Sequence, residues 1–166
     1  SNVFAHSDNL NMMATYMLKL LKSEGTLIIE IQYLLDTLKD LTFDNIYHEH
    51  VNYWSLKTLI TFFKKFGAVI FNAEKINTHG GSLRIYINKN NKIKINSNIK
   101  KLLKEEERFG LNRYETYKSF SEKIYKIKER VVDKITQLKN EKNKIIGYGS
   151  PAKATTALNF FGISDE

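Results

Sequence analysis

TLIIEIQ, residues 26–32, is a short run of mostly branched apolar residues. Its length and β-rich character read as a buried strand. LNMMATYMLKLLK (10–22) places apolar residues at helical spacing before it, and Gly25 in the intervening SEGT supplies the stop signal. Helix, glycine turn and buried strand follow one another as in an α/β unit. The same reading extends downstream. LLDTLKDL (34–41) predicts a short helix. SLKTLITFFKKFG (55–67) predicts a longer one, with Ser55 as N-cap and Gly67 as the residue past its end. AVIFNAEKI (68–76) and SLRIYIN (82–88) alternate like strands joined through NTHGG (77–81).

After Asn88 the character changes. NKNNKIKINSN (88–98) is polar and reads as a linker or exposed ribbon. Residues 98–140 are rich in Lys and Glu and mostly helical in period, with one long amphipathic helix over 114–139. KIIGYGSPAKATTALNFFG (144–162) restarts an α/β pattern: a strand, a glycine-rich turn, Pro151 suited to a first helical turn, and a helix. A boundary is expected near residues 89–98. A parallel sheet needs neighbouring strands, so the chain reads as a piece of a larger protein.

Composition narrows the classes. With 166 residues and 42% hydrophobic content the chain can bury a real core. No apolar run approaches the roughly 18 residues of a membrane span, and no signal peptide is visible at the N-terminus. The absence of cysteine excludes disulfides, thiolate metal sites and a cysteine nucleophile within the chain. A cytoplasmic setting is the default. The net charge of +8 admits nucleic acid, an acidic membrane or a phosphorylated small molecule as partner. Against a nucleic-acid-binding module, the lysines of 98–140 alternate with glutamates, as on an ordinary solvated face.

Three constellations could carry chemistry. IYHEH (46–50) holds two of the four histidines. Two positions apart, His48 and His50 share a face only in an extended segment, and the spacing is not the HExxH of a zinc protease. A metal site, histidines packing a loop beside the next helix, and acid–base chemistry are the open readings. In the last, an imidazole takes a proton near neutral pH, Glu49 orients it, and the Tyr47 hydroxyl stabilises an oxyanion. Those groups suit proton abstraction next to a carbonyl. NTHGGSLR (77–84) has two glycines that let backbone approach a ligand, with His79, Ser82 and Arg84 as polar contacts, or is simply a hairpin turn. GYGSPAK (147–153) is a glycine-rich turn whose amides and Lys153 could meet a phosphate, without a full GxGxxG or Walker pattern.

Together, NVFAH (2–6), TLIIEIQYL (26–34), FDNIYHEHVNYWS (43–55), THGGSLR (78–84) and GYGSPAKATTALNFFGI (147–163) resemble the S-adenosylmethionine-dependent sugar C-methyltransferases that act on nucleotide-linked 4-keto-deoxysugars. That resemblance implies an α/β fold in which residues 1–88 are the second half of a doubly wound, Rossmann-like methyltransferase domain. Residues 89–97 are then a linker, and 98–166 a long helix and the start of a C-terminal α/β domain. It further implies His50 as general base, Tyr47, Glu49 and His6 as its catalytic neighbours, and Asn2 and His6 as contacts to the methyl donor. His79, Gly80 and Gly81 would line the sugar or pyrophosphate pocket, and Tyr148 and Lys153 would hold the nucleotide diphosphate. No metal is expected here; the family's zinc belongs to an N-terminal domain whose cysteines this chain lacks. The family's cofactor-cradling glycine loop is also missing, so the chain alone is expected to be inactive. A relative with another substrate, or one without activity, fits the same residues.

Overall fold

The computed structural model describes residues 3–78, 80–149 and 151–164. Asn2 and His79, named above as cofactor and sugar contacts, lie outside the described residues. The order of elements is helix α1 (Leu10–Leu20), strand β1 (Leu27–Gln32), helices α2 (Leu34–Lys39) and α3 (Leu56–Lys64), strands β2 (Val69–Ile76) and β3 (Ser82–Asn88), and helices α4 (Ser97–Phe109), α5 (Tyr114–Asn140) and α6 (Ala152–Phe161). Two single 3-10 turns, Phe4–His6 and Phe43–Asn45, complete them.

The three strands form one sheet in the order β1-β3-β2. β3 runs antiparallel to both neighbours, pairing Leu27 with Ile87 through to Gln32 with Ser82, and Val69 with Asn88 through to Ile76 with Ser82. β1 and β2 therefore point the same way without touching. The alternation of β3 sets its faces. Leu83, Ile85 and Ile87 are fully buried, while Arg84 and Tyr86 lie on the other side. The buried side meets Ile29 and Ile31 of β1, Leu56, Leu59 and Phe63 of α3, Ala14 and Leu18 of α1, and Phe4. Each such Leu, Ile or Phe contributes roughly 1.5–3 kcal/mol by leaving water. On the opposite face Arg84 reaches Glu30 of β1 at 2.8 Å, and Tyr86 donates to Glu74 of β2.

Local signals explain the helix ends. Asn9 accepts from the Met12 amide to start α1, and Ser55 and Thr58 exchange hydrogen bonds to start α3. The N-terminus of α3 has a second partner from far along the chain. Glu106 of α4 accepts from the Leu56 amide at 2.5 Å, the Lys57 amide at 3.2 Å and the Tyr33 hydroxyl at 2.9 Å. A buried carboxylate there meets the positive end of the helix dipole. Burial first, and Glu106 beside it, pushes the Tyr33 hydroxyl far above its ordinary range. Lys39 and Lys75 also meet Glu105 of α4. Thus α4, although it follows the polar 89–96 stretch, is bound to the β-sheet layer.

The helical reading of 98–140 holds, with the long helix at Tyr114–Asn140 and a break before it where Gly110 takes φ +83. One expectation needs correction. The strand expected at the start of 144–162 does not form: residues 143–149 are irregular and exposed, because no strand among the described residues offers them a ladder. Pairing in the sheet is antiparallel at both interfaces of β3. The α/β class, with helices packed on a small sheet, is as read.

Candidate active site

The site lies where β1 ends. Past Gln32 the chain turns into α2, and this turn is held by the Tyr33 amide donating to the Gly81 carbonyl at 3.1 Å. Ligand sites of α/β folds collect at the carboxyl ends of strands. Three segments converge there. The 3-10 turn Phe4–His6 is tied to the IYHEH loop by the Val51 amide donating to the Ala5 carbonyl at 3.2 Å. The turn Phe43–Asn45 leads into that loop and supports α6 through Phe43, whose ring lies 5.1 Å from Phe160 and 5.6 Å from Phe161. Together they enclose a cavity of about 170 Å³ lined by Ala5, His6, Gln32, Asn45, Tyr47, His50 and Lys153.

Residues 47–50 are not extended. The His50 amide donates to the Tyr47 carbonyl at 3.0 Å, so the segment is a tight turn. Positions three apart, not two, are brought together by it. The Tyr47 and His50 rings lie 4.6 Å apart and both line the cavity, while His48 and Glu49 are exposed. His6 stands edge-on to His50 with ring centres 4.8 Å apart. Glu49 meets the Tyr47 hydroxyl, which donates to it at 3.2 Å.

His50 is oriented by the backbone. Its Nδ1 lies 2.9 Å from the Asn45 carbonyl oxygen. A carbonyl can only accept, so Nδ1 carries the proton and Nε2 keeps its lone pair. Burial pushes the His50 imidazole below its ordinary value, and the nearby His6 and Lys153 push the same way; the carbonyl bond and Glu49 oppose them. Burial, then the bond to Glu49, raises the Tyr47 hydroxyl above the ordinary tyrosine value. The site therefore holds a neutral imidazole with a free nitrogen beside a phenol that keeps its proton.

Other expected residues sit elsewhere. Gly80 and Gly81 do not line this cavity: they close the β2–β3 hairpin with φ +78 and +102. Gly81 packs so closely on Asp36 that an added Cβ would come within 2.5 Å of the Asp36 Cβ. Tyr148 is fully exposed. Lys153 lines the base cavity itself. Gln32 and Asn45 escaped sequence reading. Asn45 falls inside the FDNIYHEH motif, yet its importance lies in a backbone carbonyl, which no residue type announces. Its side chain is buried, and among the described residues its Oδ1 has no hydrogen-bond partner. Among the described residues no group of three or more His, Asp and Glu could hold a metal.

A small α/β scaffold thus presents an oriented imidazole, a phenol and a cation in one cavity. Residues 77–166 match the family model described as C-methyltransferase C-terminal domain, and the chain belongs to that family. Among curated proteins it is similar to the C-methyltransferase NovU of Streptomyces niveus, with 26% identity over 164 residues, which cover 98% of this chain and 39% of NovU. The resemblance read from the motifs is thereby borne out. The chain spans about two fifths of the length of that relative.

Proposed function

We propose that this chain is the base-bearing part of an S-adenosylmethionine-dependent C-methyltransferase, which deprotonates the carbon next to the ketone of a nucleotide-linked 4-keto-deoxysugar so that this carbon can accept a methyl group. The reading rests above all on one observation: the Asn45 carbonyl holds His50 Nδ1–H at 2.9 Å, leaving Nε2 free in a cavity shared with Tyr47 and His6. Nε2 takes the proton. The C–H electron pair becomes the double bond of the enolate, and the carbonyl π pair moves onto oxygen. The Tyr47 hydroxyl, which rests on Glu49, exchanges that acceptor for the enolate oxygen. His6 faces the same cavity and closes it beside the base.

In this reading residues 1–88 are the second half of a doubly wound methyltransferase domain, 89–97 a linker and 98–166 the start of the C-terminal domain. The mutually parallel β1 and β2 then belong to that sheet, and β3 is a reversed strand set between them. In this reading the sugar ring occupies the cavity of about 170 Å³, which opens to solvent, and the GYG turn is exposed. The chain's part is to generate the nucleophilic carbon of the sugar; the donor brings a methyl group that is already activated.

Proton removal can be read without a methyl donor. In D2O the protein should wash deuterium into the carbon next to the ketone of the keto-sugar. His50→Ala should slow this by about 100-fold or more, and Tyr47→Phe by about 10-fold or more, with unchanged circular dichroism. Wild-type exchange in both variants would refute the assigned roles.

A further inference from the structure

We propose that the ε-ammonium of Lys153 is a catalytic group of this site, stabilising the enolate oxygen, and not a diphosphate contact. The inference rests on the function proposed above and adds a charge that the loop bearing the base does not carry. Among the described residues lining the cavity, Ala5 is apolar, Gln32 and Asn45 are uncharged, and Lys153 is the one ammonium. It arrives on α6, from the far end of the chain. That helix is fixed against the base-bearing segment by Phe43, whose ring packs tilted against Phe160 and Phe161, and against α5 by Tyr125 at 5.6 Å and Lys128 at 5.1 Å from the Phe160 ring.

Scale decides between oxygen and diphosphate. The cavity of about 170 Å³ matches one sugar ring and opens to solvent, so a diphosphate on that ring would extend out of it, away from the base. A cation that shares so small a space with the base faces the reacting carbon's neighbours. The carbon that loses its proton and the oxygen that gains the charge are two bonds apart. Negative charge appears there only as the proton leaves, so the interaction strengthens on the way to the enolate, which is what catalysis requires.

The groups facing His50 are His6 from the first 3-10 turn, Tyr47, Glu49 and Tyr53 from its own loop, and Lys153 from α6. Lys153 and His6 favour the neutral imidazole, and Glu49 the charged one. One ammonium thus keeps the base free of a proton and receives the charge that the base creates.

The test uses the purified protein, Lys153→Met and Lys153→Arg, with three readings. Deuterium wash-in at saturating keto-sugar should fall about 100-fold in Lys153→Met and recover in part in Lys153→Arg, which keeps a cation. The affinity for a nucleoside diphosphate alone should stay within about two-fold. The His50 imidazole, followed by NMR in the free protein, should titrate at higher pH in Lys153→Met. An unchanged wash-in rate, or a ten-fold weaker nucleoside diphosphate with normal wash-in at saturation, overturns the role of Lys153 and leaves the base assignment standing. No wash-in by the wild type overturns both. A His50 titration that does not move shows that Lys153 is not at the base and overturns the proposal by itself.

Discussion

At the scale of single residues, His50 shows how much a site depends on atoms that sequence does not print. The imidazole could serve as acid, base or ligand; the Asn45 carbonyl fixes the tautomer that leaves the Nε2 lone pair available, and in the function proposed here that nitrogen is the base. Its environment then sets the pH at which it works. Because burial, His6 and Lys153 lower its titration, wash-in should rise with pH along a limb whose midpoint lies below the ordinary 6.5, and the raised Tyr47 should hold the plateau past pH 10. A pH–rate profile checks this, and a midpoint at or above 6.5 contradicts it. The linked effect on stability has the same sign. Between the folded titration point and 6.5 the unfolded chain binds more protons, so stability falls as pH drops through that window.

At the scale of elements, α3 is the hinge of the arrangement. Its own capping box, Ser55 with Thr58, is legible in sequence, but the buried carboxylate at its N-terminus comes from α4, 50 residues away. Glu106→Ala leaves two amides and the Tyr33 hydroxyl without an acceptor and should cost about 3 kcal/mol in urea unfolding. Glu106→Gln, which keeps the shape, should cost about half as much. Equal stability of both variants and the wild type would mean that the contact carries no energy. The β2–β3 turn makes a sharper prediction. Gly81→Ala meets both a φ of +102 and the Asp36 side chain, and should destabilise by at least about 2 kcal/mol. Gly67→Ala, with φ +68 but nothing within 4 Å, should cost less.

At the scale of the whole molecule, the cavity exists because two distant parts of the chain meet. Phe43 is the contact between them. Phe43→Ala should loosen α6 from the base-bearing segment while the sheet stays intact. Amide hydrogen exchange should then speed up across α6 and remain slow in β3, and wash-in should fall together with the position of Lys153. Unchanged protection of α6 would show that another contact holds it.

The sequence by itself determined the helices α1 and α3, the strands β1 to β3 and the long helix α5, because apolar period, caps and glycine stops are local signals. It also drew attention to Tyr47, His50, His6 and Lys153 through their motifs. Tertiary structure alone decided that Tyr47 and His50 face inward while His48 and Glu49 face solvent, since that depends on a turn closed by a backbone hydrogen bond. It decided likewise that Lys153 stands at the base and that 144–147 forms no strand. Strand formation, tautomer and cavity all need a partner brought from elsewhere in the chain, and the identity of such a partner is not written in the local residues that await it.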